Sequence, residues 1–459
     1  MSWIDEALRA LGVGGAFLVV FAAAELWKRW GNPPVEWTRK AVHVGGGVIV
    51  MTLPWILRSH WTVLALGAAF ALIIALTRRF GWLGSVHGVE RKSEGGLWYP
   101  VAVYLLFLIG SHRPVFYLIA VLTLVLSDAL AALVGTTYGR MMYRVESDRR
   151  SVEGSAVFLF ATFLGVHLPL LLLTSTGRVA SVLIALQIAL LVTLLEAISL
   201  RGNDNLVVPL ATYLLLVKLT PSSAEWIAVQ LASQLAIFGA LILLAWRSRF
   251  LSASGTMAAS LFFYGAWSLG GPEWTVAPAV ALAAFWLIFK RLPPNSSEPD
   301  ARYQVVAVFY TSLVPVSLFA LNNLFETALR HPVLGRGDPF YALYLGALTA
   351  HLAMLALLFL EGSLWDSEPK PKRWVLALGI GVAAAIPIGL WAGPSGVSWW
   401  EVVMPVWVGV GALAFFSAGR RWARWPHQKP WDVRLQMACA ALSVGTLLPV
   451  HLLRFMGQW

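Results

Sequence analysis

In SDALAALVGTTYGRMMYRVESDRRSVEGS, residues 127–155, an apolar helix carries one carboxylate, meets two glycines and runs into a basic loop. Asp128 lies about two turns before Gly135, inside sequence apolar enough for hydrocarbon depth. A charged side chain there costs about 3 kcal/mol or more unless it is partnered or faces water, so Asp128 reads as functional. Gly135 and Gly139 read as a break in the helix. Beyond them Arg140, Arg144, Arg149 and Arg150 stand beside Ser151, Glu153 and Gly154. Guanidinium forks, a hydroxyl and a flexible backbone suit a nucleotide triphosphate with a bound divalent metal. The plainer alternative is an aspartate paired to a neighbouring helix, followed by an anchoring basic loop.

Outward from this stretch, composition sets the class. The chain of 459 residues is 58% hydrophobic and only 12% charged, with mean hydropathy +0.72. That is far from a soluble domain. Apolar runs predict an all-α integral membrane protein with about sixteen crossings in two halves. Their expected starts are near residues 8, 41, 60, 97, 114, 155, 179, 205, 225, 256, 275, 301, 340, 374, 400 and 435. With the N-terminus outside, most of the 34 Lys and Arg fall on inside loops, as the positive-inside rule requires. The formal charge of +11 is therefore topological, and it argues against a nucleic-acid partner. Asp5 and Glu6, with no basic n-region, predict that the first apolar segment is retained rather than cleaved. The single cysteine, Cys439, excludes an intrachain disulfide and a Cys-built zinc site. The expected location is a multi-pass position in a bacterial-type inner membrane, the polar clusters facing the cytosol.

Four of those clusters converge on one side. WTRKAVHVGGG (37–47) places Arg39 and His43 on one helical face, with Lys40 on the next ridge. HGVERKSEGGLWYP (87–100) carries Glu90, Arg91, Lys92 and Glu94. The third is the basic loop already quoted. The fourth, EAISLRGNDNLVVPL (196–210), holds Glu196 late in one helix and Asp204 and Asn205 at the start of the next. Each has a plainer reading: Arg39 and Lys40 as anchors, His43 as an interhelical hydrogen-bonding group, Gly45–Gly47 as helix packing, Gly202–Asn205 as a capped turn. Together they offer more. Asp128, Glu153, Glu196 and Asp204 would hold one or two magnesium ions while the arginines neutralise phosphates. His43, Asp128 and Asp204 are all candidates for the base that takes an alcohol proton.

The first half resembles the membrane lipid-alcohol kinase family that includes dolichol kinase, phytol kinase and the CTP-dependent diacylglycerol kinase of yeast. The resemblance rests on RKAVH (39–43), ERKSEGGLWYP (90–100), SDALAALVGTTYGR (127–140), RSVEGS (150–155) and EAISLRGNDNLVVPL (196–210), in the family's order. It implies transfer of the γ-phosphoryl group of CTP, with magnesium, to an isoprenoid or other lipid alcohol at the cytosolic face. It also implies a site in which Asp128, Gly135, Gly139, Arg149, Arg150, Ser151, Glu153 and Gly154 hold nucleotide and metal. Asp204 and Asn205 would complete it, and Arg39, Lys40 and His43 would lie near the phosphates or the lipid hydroxyl. Arg150 departs from the lysine usual in the family; it still binds phosphate, but as a fork rather than a point charge. Two alternatives stay open: a cytidylyltransferase acting on a lipid phosphate, and a transporter of an anionic or lipid substrate.

The expected domains are 1–246, the kinase, and 247–459. In the second, LSASGTMAASLFFYGAWSLGGPEW (251–274) and RYQVVAVFY (302–310) resemble the opening motifs of the family that includes phytyl-phosphate kinase. GALTAHLAMLALLFLEG (346–362) lacks the intramembrane Asp–Thr pair that should follow, and only Glu361, Asp366 and Glu368 remain. This half is read as degenerate, supplying lipid-channel wall or a homodimer surface.

Overall fold

Asp128 follows a break in helical regularity rather than preceding one. A computed structural model describes residues 3–80, 95–145, 148–200, 202–248, 251–289, 305–328, 340–361, 368–392, 399–422 and 429–457. Glu90, Arg91, Lys92, Glu94, Arg201 and Asp366 lie outside those residues. Helix α6 (Pro114–Leu122) widens into a π-helical turn at Thr123–Ser127 and resumes as α7 (Asp128–Tyr138). Such wide turns mark functional sites, because the extra residue swings the next side chains to a new face. The expected break at Gly135 does not occur: α7 runs through it and stops only at Gly139, which is extended.

Helix dominates the rest. The first compact unit, Met1–Gln234, begins with α1 (Trp3–Gly31), α2 (Val35–Met51), the single turn α3 (Leu53–Ile56), α4 (His60–Arg79) and α5 (Gly95–Gly110). After α6 and α7 come α8 (Val152–Leu173), α9 (Arg178–Ile198) and α10 (Asp204–Leu219). The second unit, Leu235–Trp459, starts inside α11 (Ala224–Ser248), whereas the sequence marks its boundary at the polar end of that same helix. It contains α12 (Ala253–Gly270), α13 (Pro272–Phe289), α14 (Val305–Ala328), α15 (Tyr341–Glu361), α16 (Lys370–Ala392), α17 (Trp399–Trp422) and α18 (Lys429–Gly457). A described helix overlaps each of the sixteen apolar runs, without each being a crossing. Among the described residues nine are long and apolar enough to cross a membrane, and two further apolar helices are shorter. Outward-facing Leu18, Val19, Leu172, Leu173 and Ile242 are exposed, as lipid-facing side chains should be.

One departure from the all-helical expectation bears on the site. The basic loop is a two-stranded antiparallel hairpin, β1 (Met142–Val145) and β2 (Asp148–Ser151). Tyr143 pairs with Arg150 and Arg144 with Arg149, so Arg149 and Arg150 point to opposite faces. The hairpin's base is locked by packing. Ser151 caps α8 by accepting a hydrogen bond from the Gly154 N–H at 3.1 Å. A Cβ on Gly135 would come 2.9 Å from Ser151 Oγ and 3.4 Å from Gly154 Cα. Glycines here bring α7 and α8 into backbone contact, the small-residue device of membrane helices.

The same device seats α2. Gly45 and Gly46 abut Val20 and Phe17 of α1, and Gly47 abuts Val125 in the π turn so closely that a Cβ would overlap its methyls. Small residues on α2 thus let its polar start reach Asp128. Gly47→Ala should destabilise the first unit by about 1–3 kcal/mol through overpacking. Val125→Ala in the same chain should restore much of that, read as the melting temperature in detergent. A Gly47→Ala protein that melts with the wild type would contradict this packing.

Candidate active site

The centre of the site is an ion pair at the meeting of α2 with α7. Lys40 Nζ lies 2.6 Å from Asp128 Oδ2 and 3.3 Å from the Asp128 carbonyl. The lysine side chain is buried, and the aspartate keeps a fifth of its surface. His43, one turn along α2, brings Nε2 to 3.4 Å from the same Oδ2 without forming a hydrogen bond. Arg39 turns the other way and forks onto Glu36 at 3.0 and 2.5 Å. It still feels the charges of Asp128 and Asp204. Asp204, at the start of α10, lies within charge–charge range of Asp128, Arg150 and Lys40. Six of the singled-out side chains, Arg39, Lys40, His43, Asp128, Arg150 and Asp204, therefore share one electrostatic neighbourhood drawn from four segments.

The remaining expected residues do not join it on equal terms. Glu196 is taken: its carboxylate pairs with the Arg150 guanidinium, which also donates to the Ser199 carbonyl at 2.8 Å. That contact places a cation at the C-terminal end of α9, where the helix dipole favours it. Glu153 is exposed at the side chain and accepts the Met141 N–H at 3.1 Å. The four expected metal carboxylates thus do not gather, and among the described residues no three His, Cys, Asp or Glu side chains form a ligand group. Of the four, only Asp128 and Asp204 stay within charge–charge range of one another. Asn205 donates to the Gly95 carbonyl at 3.0 Å, tying α10 to the start of α5. Gly135, Gly139, Ser151 and Gly154 form the packed base of the hairpin. Arg144 and Arg149 stand exposed as cross-strand neighbours, a like-charged pair that is unfavourable without an anion.

Two residues not singled out from the sequence complete the polar interior. Tyr99 of α5 and Tyr117 of α6 are buried, and their hydroxyls and the His43 Nε2 lack hydrogen-bond partners. The Tyr99 ring centroid is 5.7 Å from that of His43. The available signal was a phenol within an otherwise hydrocarbon span, since a buried tyrosine hydroxyl ordinarily finds a partner.

Arg150 is a test of what this fork does. Removing a buried partner leaves the other charge stranded, so Arg150→Ala should cost about 3–5 kcal/mol. Arg150→Lys, which keeps a point charge and loses the fork, should cost about 1–2 kcal/mol. Thermal unfolding in detergent reads both, and a neutral Arg150→Ala would show that the pair does not hold the hairpin to α9.

The chain is 36% identical over 217 residues to phytol kinase of Synechocystis sp., an alignment covering 46% of this chain and 90% of that protein. No family profile matches, and no solved structure does. Identity at that level over nearly the whole relative shows descent and not only shared composition. The chain belongs to the phytol kinase family.

Proposed function

We propose that the chain transfers the γ-phosphoryl group of CTP to a membrane-dissolved isoprenoid alcohol at the cytosolic face. The observation that carries this reading is the half-buried Lys40–Asp128–His43 constellation, with Asp204 and Arg150 in range, in a chain of the phytol kinase family. Phosphoryl transfer needs positioning and charge neutralisation more than covalent help. Lys40 and Arg39 supply positive charge beside Asp128, and the exposed Arg144–Arg149 pair offers a second anion-binding face that the polyphosphate would relieve of its repulsion. Magnesium, shared by Asp128, Asp204 and the phosphates, would add further charge neutralisation.

His43 is favoured as the base. Asp128 Oδ2 already accepts from Lys40, whereas the His43 Nε2 has no hydrogen-bond partner. Tyr99 provides an unpartnered hydroxyl on a ring beside it that suits an incoming alcohol. The alcohol oxygen bonds to the γ-phosphorus while that phosphorus separates from its β-bridging oxygen. CDP leaves with the bonding pair, and the alcohol proton passes to His43. The isoprenoid tail stays in lipid, which explains why this chemistry is built among membrane helices. Family membership favours this reading over a carrier.

Purified protein given geranylgeraniol or phytol, CTP and magnesium should form the prenyl monophosphate and CDP. Asp128→Asn, which keeps an acceptor for Lys40, should lower turnover by at least about 100-fold with helical circular dichroism unchanged. Chelation of the metal should stop the reaction in the wild type. Pyrophosphate release would instead assign cytidylyl transfer, and full turnover by Asp128→Asn would overturn the site.

A further inference from the structure

A second polar centre lies within the second unit, on its most buried helix. Helix α15 packs against α13, α14, α16, α17 and α18 and is buried over nearly its whole length. His351 sits at its middle and is only 5% exposed, yet neither ring nitrogen has a hydrogen-bond partner. Gln436 of α18 is 1% exposed, and its carbonyl oxygen is equally unpartnered. Both line the same cavity of about 140 Å³, bounded by α12, α13, α14, α15 and α18. Leaving polar atoms buried without partners costs about 1–3 kcal/mol each, so this arrangement calls for a ligand that supplies the missing bonds.

The cavity specifies that ligand's chemistry. Its walls are hydrocarbon, with Leu348, Leu352, Phe262 and Phe263 prominent. Its other hydroxyls are satisfied within their own helix: Thr311 donates to the Val308 carbonyl and Ser312 to that of Phe309. Among the described residues no Lys, Arg, Asp or Glu lines it, so a phosphate or carboxylate head would enter without a counter-charge from them. A neutral imidazole offers one donor and one acceptor, and the glutamine carbonyl a second acceptor. A single hydroxyl accepts from the imidazole N–H and donates its one proton to the glutamine carbonyl, which satisfies one atom of each residue. The volume exceeds by roughly tenfold the 10–15 Å³ that a single water occupies, which leaves room for part of a hydrocarbon chain behind the head.

We infer that the second unit binds a neutral lipid with a single hydroxyl head, the hydroxyl held by His351 and Gln436 and the chain lying among α12, α14 and α15. This half of the chain is then a lipid-alcohol binding site in its own right rather than only a wall. The inference does not rest on the kinase reading of the first unit, because no residue of that unit enters it.

The experiment uses the full chain in nanodiscs with a diazirine-bearing geranylgeraniol, photolysed and mapped by mass spectrometry. Label should appear on α12, α15 or α18, be displaced by unlabelled geranylgeraniol, and be poorly displaced by geranylgeranyl phosphate. His351→Leu and Gln436→Leu should each weaken that labelling at least tenfold. His351→Leu removes an unpartnered polar group, so its melting temperature without lipid should equal or exceed the wild type, while the lipid-induced rise is lost. Leu348→Phe, which fills the cavity and removes no polar group, should block labelling as well. Asp128→Asn should leave second-unit labelling intact, so failure of the kinase reading and failure of this one are distinguishable. Labelling confined to the first unit, or unchanged by all three second-unit variants, would overturn the inference.

Discussion

A lysine and an aspartate that meet in a hydrophobic interior constrain one another and everything around them. Lys40 and Asp128 come from helices far apart in sequence, and neither charge is tolerable at that depth alone. Their pairing therefore fixes the register of α2 against α7 and requires the features that let the backbones approach. Those features are the glycine run at 45–47 and the π turn at 123–127. The wide turn re-aims Asp128, and the missing side chain at Gly47 removes the obstacle beside it. Site and packing are in this sense one structure: the residues that permit close approach also place the charges.

The parts legible in the sequence were those with a cost attached to their position. An aspartate in an apolar run is conspicuous, and so are Lys40 and His43 beside three glycines. The sixteen apolar runs showed where helices form, because hydrocarbon depth demands internally satisfied backbone. Pairings were harder. Nothing in local spacing couples Arg150 to Glu196, which are brought together where the β2 strand meets the end of α9. That pairing takes Glu196 out of a metal set in which its charge alone had seemed to place it. The hairpin was hidden because MYRV and DRRS are too polar and short to show a strand alternation. Gly135 misled for a related reason: a glycine that breaks a soluble helix serves in membranes as a contact point between helices.

The two units handle buried polarity differently. In the first, opposite charges compensate one another and gather near a hairpin rich in arginine. In the second, Glu361 pairs with Arg420 and Glu368 with Lys372 at 3.0 Å. Among its described residues, His351, Gln436 and Thr349 keep buried, uncharged polar atoms without hydrogen-bond partners. The polar interior of the first unit is organised around paired charges, and the unpartnered atoms of the second are uncharged.

The dependence of the first unit on its central ion pair is most directly measured by a double-mutant cycle in thermal unfolding, with Lys40→Met, Asp128→Leu and the pair combined. Each single change strands a buried charge and should cost about 3–5 kcal/mol, while the double variant, with neither charge left, should recover most of that loss. Single-variant losses that simply add in the double variant would contradict the account, because the two residues would then not meet.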